Sequence, residues 1–352
     1  MHTLLTRSDH LVFNPIRTER LLIRPMEPAD APALHARRND PEVARYQDWV
    51  LPYGVEQAEG LVAAMAAHPG PAAKGWWMAT VCQAGGEPIG DVAVGSSAQG
   101  RTAEVGYTFD RAHWGNGYAV EAVGALVDWL LDDVGVIRVT ASIHPDNRPS
   151  AMVLERTGFV WEGQTRMTHW VGDEVSDDWV YGLLHSDREG WKARPAGAPA
   201  ELTLVEVTTD NERDVFRLRT HKTQEEFVAP MSDTFADALF PEVVDGAPVV
   251  PWMRAVVADG ETVAFVMLAV TTEHHSEPFL WRLLVDRLHQ RRGIGRRVLD
   301  LVSEECRAMG DKTLLTSWVD GKGSPAPFYL SYGFVPTGEI VDEEIEARVS
   351  LV

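Results

Sequence analysis

Two kinds of hydrophobic periodicity alternate along the chain, and the same succession occurs twice. Ile137, Val139, Ala141 and Ile143 alternate with Arg138, Thr140, Ser142 and His144. That pattern predicts a strand with one buried face. Just before it, Val120, Val123, Val127 and Leu130 recur at helical spacing, which predicts a helix from Ala119 to about Asp132 with those four facing inward. Upstream, Glu19 to Arg24 reads as a strand and Pro28 to Arg38 as a helix opened by proline. Trp76 to Cys82, Gly90 to Gly95 and Thr102 to Phe109 read as strands separated by turn residues. In the second half, Ala255 to Ala258 and Thr262 to Val270 form a hairpin around Asp259-Gly260. Phe279 to Val285 is a strand, Val298, Val302, Cys306 and Met309 mark the buried face of a helix, and Thr313 to Trp318 is the next strand.

Gly190 to Ala200 is rich in Pro, Gly and Ala, which suits an extended linker. The expected organisation is an extension at 1–16, a domain at 17–189, a linker at 190–200 and a domain at 201–352. Gly117 and Gly293, in two glycine turns, are 176 residues apart. Gly158 and Gly333, in two Gly-Phe-Val triplets, are 175 apart. A near-constant offset across separate motifs points to a tandem pair of like domains.

Composition narrows the chemistry. The chain has 352 residues, 45% of them hydrophobic and 24% charged, which is the make-up of folded domains. Its formal net charge is −20 and both halves are acidic. A basic nucleic-acid footprint is therefore not expected. A negative field draws in cationic substrates or a basic partner, and it also aids solubility. Cys82 and Cys306 fall one in each half, with no disulfide framework, and His113, His144 and His169 lack metal-ligand spacing. No metal is expected. No run approaches the ~18 apolar residues of a membrane span and the start has no long apolar h-region, so a cytoplasmic location without a membrane anchor is expected.

The glycine turns carry the main chemical signal. One reads Trp114-Gly115-Asn116-Gly117-Tyr118-Ala119, the other Gln290-Arg291-Arg292-Gly293-Ile294-Gly295. Small residues let backbone N–H groups approach an anion, and the helix that follows adds its positive end. Neither turn is a P-loop, since no Gly-Lys-Ser/Thr follows, and neither is the Gly-x-Gly-x-x-Gly fingerprint.

Gln290-x-x-Gly293-x-Gly295 resembles the Q/R-x-x-G-x-G/A acyl-CoA motif of the GNAT N-acetyltransferase superfamily. Gly117 and Ala119 fit the same pattern, with Trp114 where Gln or Arg is usual. The first half resembles the RimJ/RimL branch through ERLLIR (Glu19 to Arg24), Glu104 to Tyr107, HWGNGYAVEA (His113 to Ala122) and DNRPSAMVLERTGF (Asp146 to Phe159). The second resembles the spermine/spermidine acetyltransferase-like branch through QEEFVAP (Gln224 to Pro230), Trp281 to Asp286 and FYLSYGFVPTGE (Phe328 to Glu339). The resemblance implies an α/β (α+β) class with two tandem GNAT folds, each a mixed, mostly antiparallel sheet flanked by helices. Acetyl-CoA is the implied co-substrate. Its pyrophosphate would meet Gln290, Arg291, Arg292, Gly293 and Gly295 in one half, and Trp114, Gly115, Gly117 and Ala119 in the other. Its pantetheine arm would add to the sheet at Leu284 and Val285, or near Thr108 and Phe109.

Acyl transfer from a thioester to an amine requires a neutral amine, although a primary amine has a pKa of about 10.4. The site must supply a base, an acid for the leaving thiolate and donors for the oxyanion. By resemblance Tyr329 is the acid of the second half; the alternative is a tyrosine packed beside Phe328. The position 175 residues earlier is Leu154, so the first half lacks that tyrosine. There the resemblance puts Asn147 against CoA and Ser150 near the sulfur, while a turn residue and a helix cap are equally readable. Glu104 suits a general base and also reads as a surface residue; its counterpart is Leu280, with Glu277 the nearest acid. Glu225 and Glu226 are candidates for binding a cationic substrate. Asp110 and Asp286, at matching positions, are expected to shape strand ends. Trp49, Tyr53, Trp76, Trp77 and Trp170 offer cation–π contact or core packing. The expected function is N-acetyl transfer by direct attack on acetyl-CoA, with a polyamine, an aminoglycoside-like molecule or a peptide N-terminus as acceptor. The alternatives are an acyl-CoA-binding module with silent sites, or transfer of a longer acyl group. The chain is expected as a monomeric pseudo-dimer or a homodimer.

Overall fold

The computed structural model describes residues 11–72, 74–96, 100–171, 173–244 and 246–352, and the chain divides into two units between Ala193 and Arg194. In the first unit the strands are β1 (Ile16–Arg17), β2 (Leu21–Pro25), β3 (Gly75–Gln83), β4 (Pro88–Ser96), β5 (Thr102–Phe109), β6 (Arg138–Ile143), β7 (Val160–Val171) and β8 (Glu174–Leu184). The helices are α1 (Ala31–Arg38), α2 (Pro41–Ala44), α3 (Val55–Ala66), α4 (Tyr118–Asp128), α5 (Arg148–Arg156) and α6 (His185–Ala193). The second unit has β9 (Leu202–Glu206), β10 (Val243–Val244), β11 (Ala247–Pro248), β12 (Pro251–Ala258), β13 (Glu261–Ala269), β14 (Phe279–Val285), β15 (Thr313–Trp318), β16 (Val335–Val341) and β17 (Glu344–Ser350). Its helices are α7 (Glu212–Phe216), α8 (Met231–Leu239), α9 (Ile294–Met309) and α10 (Ala326–Tyr332).

Both sheets have the same order. The first runs β2-β3-β4-β5-β6-β8-β7, with β1 added at the edge; the second runs β9-β12-β13-β14-β15-β17-β16. All neighbours are antiparallel except β5 with β6 and β14 with β15. Each sheet is covered on both faces, which is why β3 and β13 are buried along most of their length. On one face of the first sheet, Val123, Leu126 and Val127 of α4 and Leu154 of α5 pack on Val94, Val105 and Val139. On the other, Leu34 and Val62 of α1 and α3 pack on Met78. In the second unit Val298, Leu299, Val302 and Cys306 of α9 cover one face. Val215 of α7 and Met231 of α8 cover the other over Phe265 and Met267.

The parallel pairs are short. β5 and β6 pair only at Thr102–Arg138, Ala103–Val139 and Glu104–Thr140. β14 and β15 pair only at Phe279–Leu315 and Leu280–Thr316. Beyond those points the strands part, and a wedge opens in each sheet towards the glycine turn.

Four expectations need correction. Ile137 is not on a buried face: it is 52% exposed and precedes the strand, its N–H bonded to the Arg101 carbonyl. Met309 is the last residue of α9, 47% exposed beside the left-handed Gly310, where the buried face has already turned away. Gly190 to Ala193 are helical, because Trp191 anchors α6 into the unit by packing against Gly158. Part of the expected extension belongs to the fold. Phe13 is buried with its ring 4.9 Å from those of Trp77 and Trp129, and the N–H groups of Leu11 and Phe13 donate to Pro71 and Pro69. The rest of that extension, residues 1–10, lies outside the described residues.

Burial separates Leu126 of α4, a core position, from Ile137, which the strand pattern places inward and the structure exposes. Leu126→Ala removes a fully buried side chain and should cost roughly 2–5 kcal/mol in denaturant unfolding. Ile137→Ala should change stability by less than about 0.5 kcal/mol. Equal effects would show that Ile137 is buried after all.

Candidate active site

The two glycine turns share one backbone conformation. Gly115 and Gly117 are left-handed, with φ of 78° each; the matching Arg291 and Gly293 have φ of 64° and 75°. In each turn the histidine N–H, of His113 or His289, bonds the carbonyl of the strand-end aspartate, Asp110 or Asp286, at 2.9 Å. Gly117 and Gly293 then start α4 and α9. The N–H groups of a helix's first turn have no partner inside the helix, so both turns present donors and a positive helix end. A Cβ at Gly293 would meet nothing within 4 Å, so open space lies over the turn, and only φ excludes other residues.

The same comparison explains Trp114. Gln290 donates its Nε2–H to the carbonyl of Val285, the last residue of β14, at 3.2 Å. Trp114 donates its indole N–H to the carbonyl of Phe109, the last residue of β5, at 2.8 Å. Phe109 and Val285 match at the offset of 176. Both side chains therefore tie the turn to the end of the strand that lines the wedge. Trp114 departs from the motif in residue type and keeps the donor. Gln290 also exchanges hydrogen bonds with Gln224, which brings the turn carrying Glu225 and Glu226 against the loop. Glu225 is paired with Lys222 at 2.5 Å, and Glu226 is exposed on the same turn.

The arginines of the second turn separate. Arg291 is exposed. Arg292 is buried and directed inward, which corrects its expected use on the pyrophosphate. It donates to the carbonyl of Gly197 at 2.8 Å and to Nδ1 of His289 at 2.8 Å, and lies 3.7 Å from Asp259. Arg297, one turn into α9, donates to the carbonyl of Pro199 at 2.5 Å. The segment expected as a free linker is thus strapped to this helix. The first half has a different cation, which the sequence pattern did not reveal. Arg20 pairs with Glu121 at 2.6 Å and donates to the Asn116 carbonyl at 2.9 Å. Its guanidinium lies 3.5 Å from where a Gly117 Cβ would sit. Glu121 would otherwise place an unopposed negative charge in the first turn of α4.

At the wedge apex the two halves differ. Glu104 is the last residue of β5 that pairs with β6, and it is half-buried. Burial pushes its carboxyl above the usual carboxylate range; a hydrogen bond with Ser142 opposes the shift and nearby Asp178 adds to it. Ser150 does not cap α5: Asn147 does, accepting from the Ser150 N–H at 3.3 Å. The Ser150 hydroxyl is instead 2.8 Å from the hydroxyl of Tyr107. In the sequence Tyr107 carries no chemical signal of its own, only a place at the end of the Glu104 to Tyr107 segment. In the second half Tyr329 is buried and stacked 5.8 Å from Trp318. Burial pushes its phenol up to about 12, opposed by a hydrogen bond with Thr316, the last β15 residue that pairs with β14. Leu154 is core, and Glu277 is held by Arg348 at 2.8 Å and by Thr313. Leu284 and Val285 pair with β13 on one side and lie beyond the β14–β15 pairing on the other; Ala119 and Gly295 sit in the first turns of α4 and α9. Asp110 accepts from the buried Arg37, and Asp286 accepts from the Arg219 and Leu288 N–H groups. Of the aromatics, Trp77 is core, Trp49 and Tyr53 are covered by Arg38, Trp170 is exposed on β7, and Trp76 lines a cleft with Glu104.

A family model described as an acetyltransferase (GNAT) domain matches residues 20–160, and another of the same description matches 251–336. An uncharacterized N-acetyltransferase, p20 of Bacillus licheniformis, is 32% identical over 178 residues, covering 49% of this chain and 97% of its own. A GNAT-family acetyltransferase of Bacillus anthracis, known from a crystal structure, is 26% identical over 49% of this chain and 99% of that one, with a TM-score of 0.45. RimJ of Mycobacterium smegmatis, solved in complex with CoA-disulfide, is 21% identical over 49% of this chain and 87% of that one, with a TM-score of 0.43.

The indole tether makes a specific prediction. In a Gly293→Asp chain, which isolates the first turn, Trp114→Phe removes one hydrogen bond of about 1 kcal/mol. Calorimetry should then show CoA binding weakened roughly fivefold. Trp114→Gln should restore it. Equal weakening by both changes would mean that the ring's bulk matters and the donor does not.

Proposed function

We propose that this chain, which belongs to the acetyltransferase (GNAT) family and carries two of its domains in tandem, acetylates a primary amine in its first domain. Acetyl-CoA binds with its pyrophosphate at Gly115 to Ala119 and its pantetheine arm in the wedge beside Thr108 and Phe109. The thioester then lies near Glu104 on one side and the Tyr107–Ser150 hydroxyl pair on the other. Glu104, as carboxylate, takes the proton of the incoming ammonium. The neutral amine attacks the thioester carbon, the N–C bond forms and the C–S bond breaks. The thiolate takes a proton from the hydroxyl pair, and the pair regains one from the acetylated nitrogen, which loses its second proton as it becomes an amide. Attack is direct, because Cys82 and Cys306 are both buried in the cores and neither can carry the acyl group. The observation that carries this reading is the position of Glu104: half-buried, at the apex, with its pKa raised towards the range a base needs.

A second reading puts the chemistry, or part of it, in the second domain. It is favoured by Tyr329, a protonated phenol held at the other apex. That domain has leucine, Leu280, where the first has Glu104. We propose that it binds acetyl-CoA at Gln290 to Gly295.

Steady-state acetyl-CoA consumption with a panel of amines tests the assignment. Glu104→Gln should lower kcat roughly 10²–10⁴-fold. Because the raised pKa leaves Glu104 protonated at low pH, activity should fall as pH drops through a midpoint above the usual carboxylate range, and Glu104→Gln should lose that limb. Full turnover in Glu104→Gln, with loss in Tyr329→Phe, would move the reaction to the second domain.

A further inference from the structure

One row of residues crosses four strands of the first sheet. Trp76 of β3 is opposite Gly95 of β4, Gly95 is opposite Glu104 of β5, and Glu104 is opposite Thr140 of β6. Residues directly opposed across strands project to the same face. An indole, a bare backbone, a carboxylate and a hydroxyl therefore stand side by side. With Ser96 and Thr102 they line a cleft of ≈ 250 Å³. The Trp76 ring occupies the place that a side chain at position 95 would need: a Cβ there would be 3.0 Å from it. Trp76 is nevertheless 52% exposed, so the rest of the ring is open. The Ser96 hydroxyl is buried and has no hydrogen-bond partner among the described residues.

The charge balance of this cleft is one-sided. Among the described residues, Glu104 is the one ionisable residue that lines it, and no Lys or Arg does. The chain as a whole carries a formal charge of −20. An exposed indole attracts a cation within about 6 Å of its ring centroid. A carboxylate there would meet no cation among the described lining residues and would be repelled by Glu104.

We propose that this cleft is the acceptor subsite and that Trp76 sets its specificity. The acceptor class is a primary amine carrying a second cationic group a few carbons away and no carboxylate. The reacting amine sits at Glu104 and the second cation against the indole, with Ser96 free to bond a polar group between them. This proposal rests on the reading that Glu104 takes the amine proton.

The test uses the full chain and three acceptors of similar size: (2-aminoethyl)trimethylammonium, its neutral isostere 3,3-dimethylbutylamine, and β-alanine. Wild-type kcat/KM should favour the cation over the neutral isostere roughly tenfold, with β-alanine the poorest. Trp76→Leu should bring the cation-to-neutral ratio towards one, chiefly through KM, and Trp76→Phe should keep part of it. Gly95→Ala, which displaces the ring without removing it, should also lower the ratio. A ratio unchanged in Trp76→Leu, a preference for β-alanine, or no turnover with any of the three overturns the proposal. Glu104→Gln separates it from the catalytic reading. A base role lowers kcat for all acceptors and leaves their ratio to Trp76. A ratio that follows Trp76 while Glu104→Gln keeps full kcat would sink the base and leave the subsite standing.

Discussion

The parting of two parallel strands in each sheet organises everything around it. Backbone N–H and C=O groups need partners, yet β5 and β6 share three paired positions and β14 and β15 share two. An unpaired edge inside a sheet is an unusual feature for a folded domain to keep. It persists because both faces are packed by helices and because the strand ends are fixed from outside. Into each wedge the sheet can accept one extended ligand by the same hydrogen bonds that would hold a strand. The glycine turn lies at its open end and the proposed reacting groups at its apex. The proposed positions of cofactor, thioester and acceptor all follow from that one geometric fact.

Holding the open end requires a tether that does not close the wedge. A side-chain donor meets that requirement, because it satisfies one carbonyl at the strand end and leaves the edge clear. Trp114 and Gln290 are different solutions to that one problem. Charge around the turns is handled differently too. The first turn opposes Glu121 with Arg20. The second commits Arg292 and Arg297 to carbonyls of the preceding segment and keeps Arg291 exposed. The two domains are thus alike in backbone and unlike in side-chain chemistry: Glu104 corresponds in the repeat to Leu280, and Leu154 to Tyr329.

Much of this was legible in the sequence, for identifiable reasons. Thr102 to Phe109, Phe279 to Val285 and Thr313 to Trp318 were read with their observed ends because turn residues bound them and strand periodicity fills them. The turns were legible because a left-handed backbone favours glycine. The errors lie where element ends meet solvent. Ile137 and Met309 extend a correct pattern by one position too many. Gly190 to Ala193 looked like linker because composition hides the single buried Trp191 that makes α6 part of the fold. Contacts distant in sequence left no local trace: Arg20 reaches Asn116, and Trp76 joins Glu104 through two intervening registers. The tether of Trp114 became visible only when the two turns could be compared atom by atom.

The central claim is that both domains keep an intact acyl-CoA cradle although their reacting groups have diverged. Titration calorimetry of CoA against the full chain tests it most directly. The account predicts two CoA molecules per chain, falling to one in either Gly117→Asp or Gly293→Asp, where a carboxylate enters the turn. One CoA in the unaltered chain would mean that a wedge and a repeated turn do not suffice for a cradle.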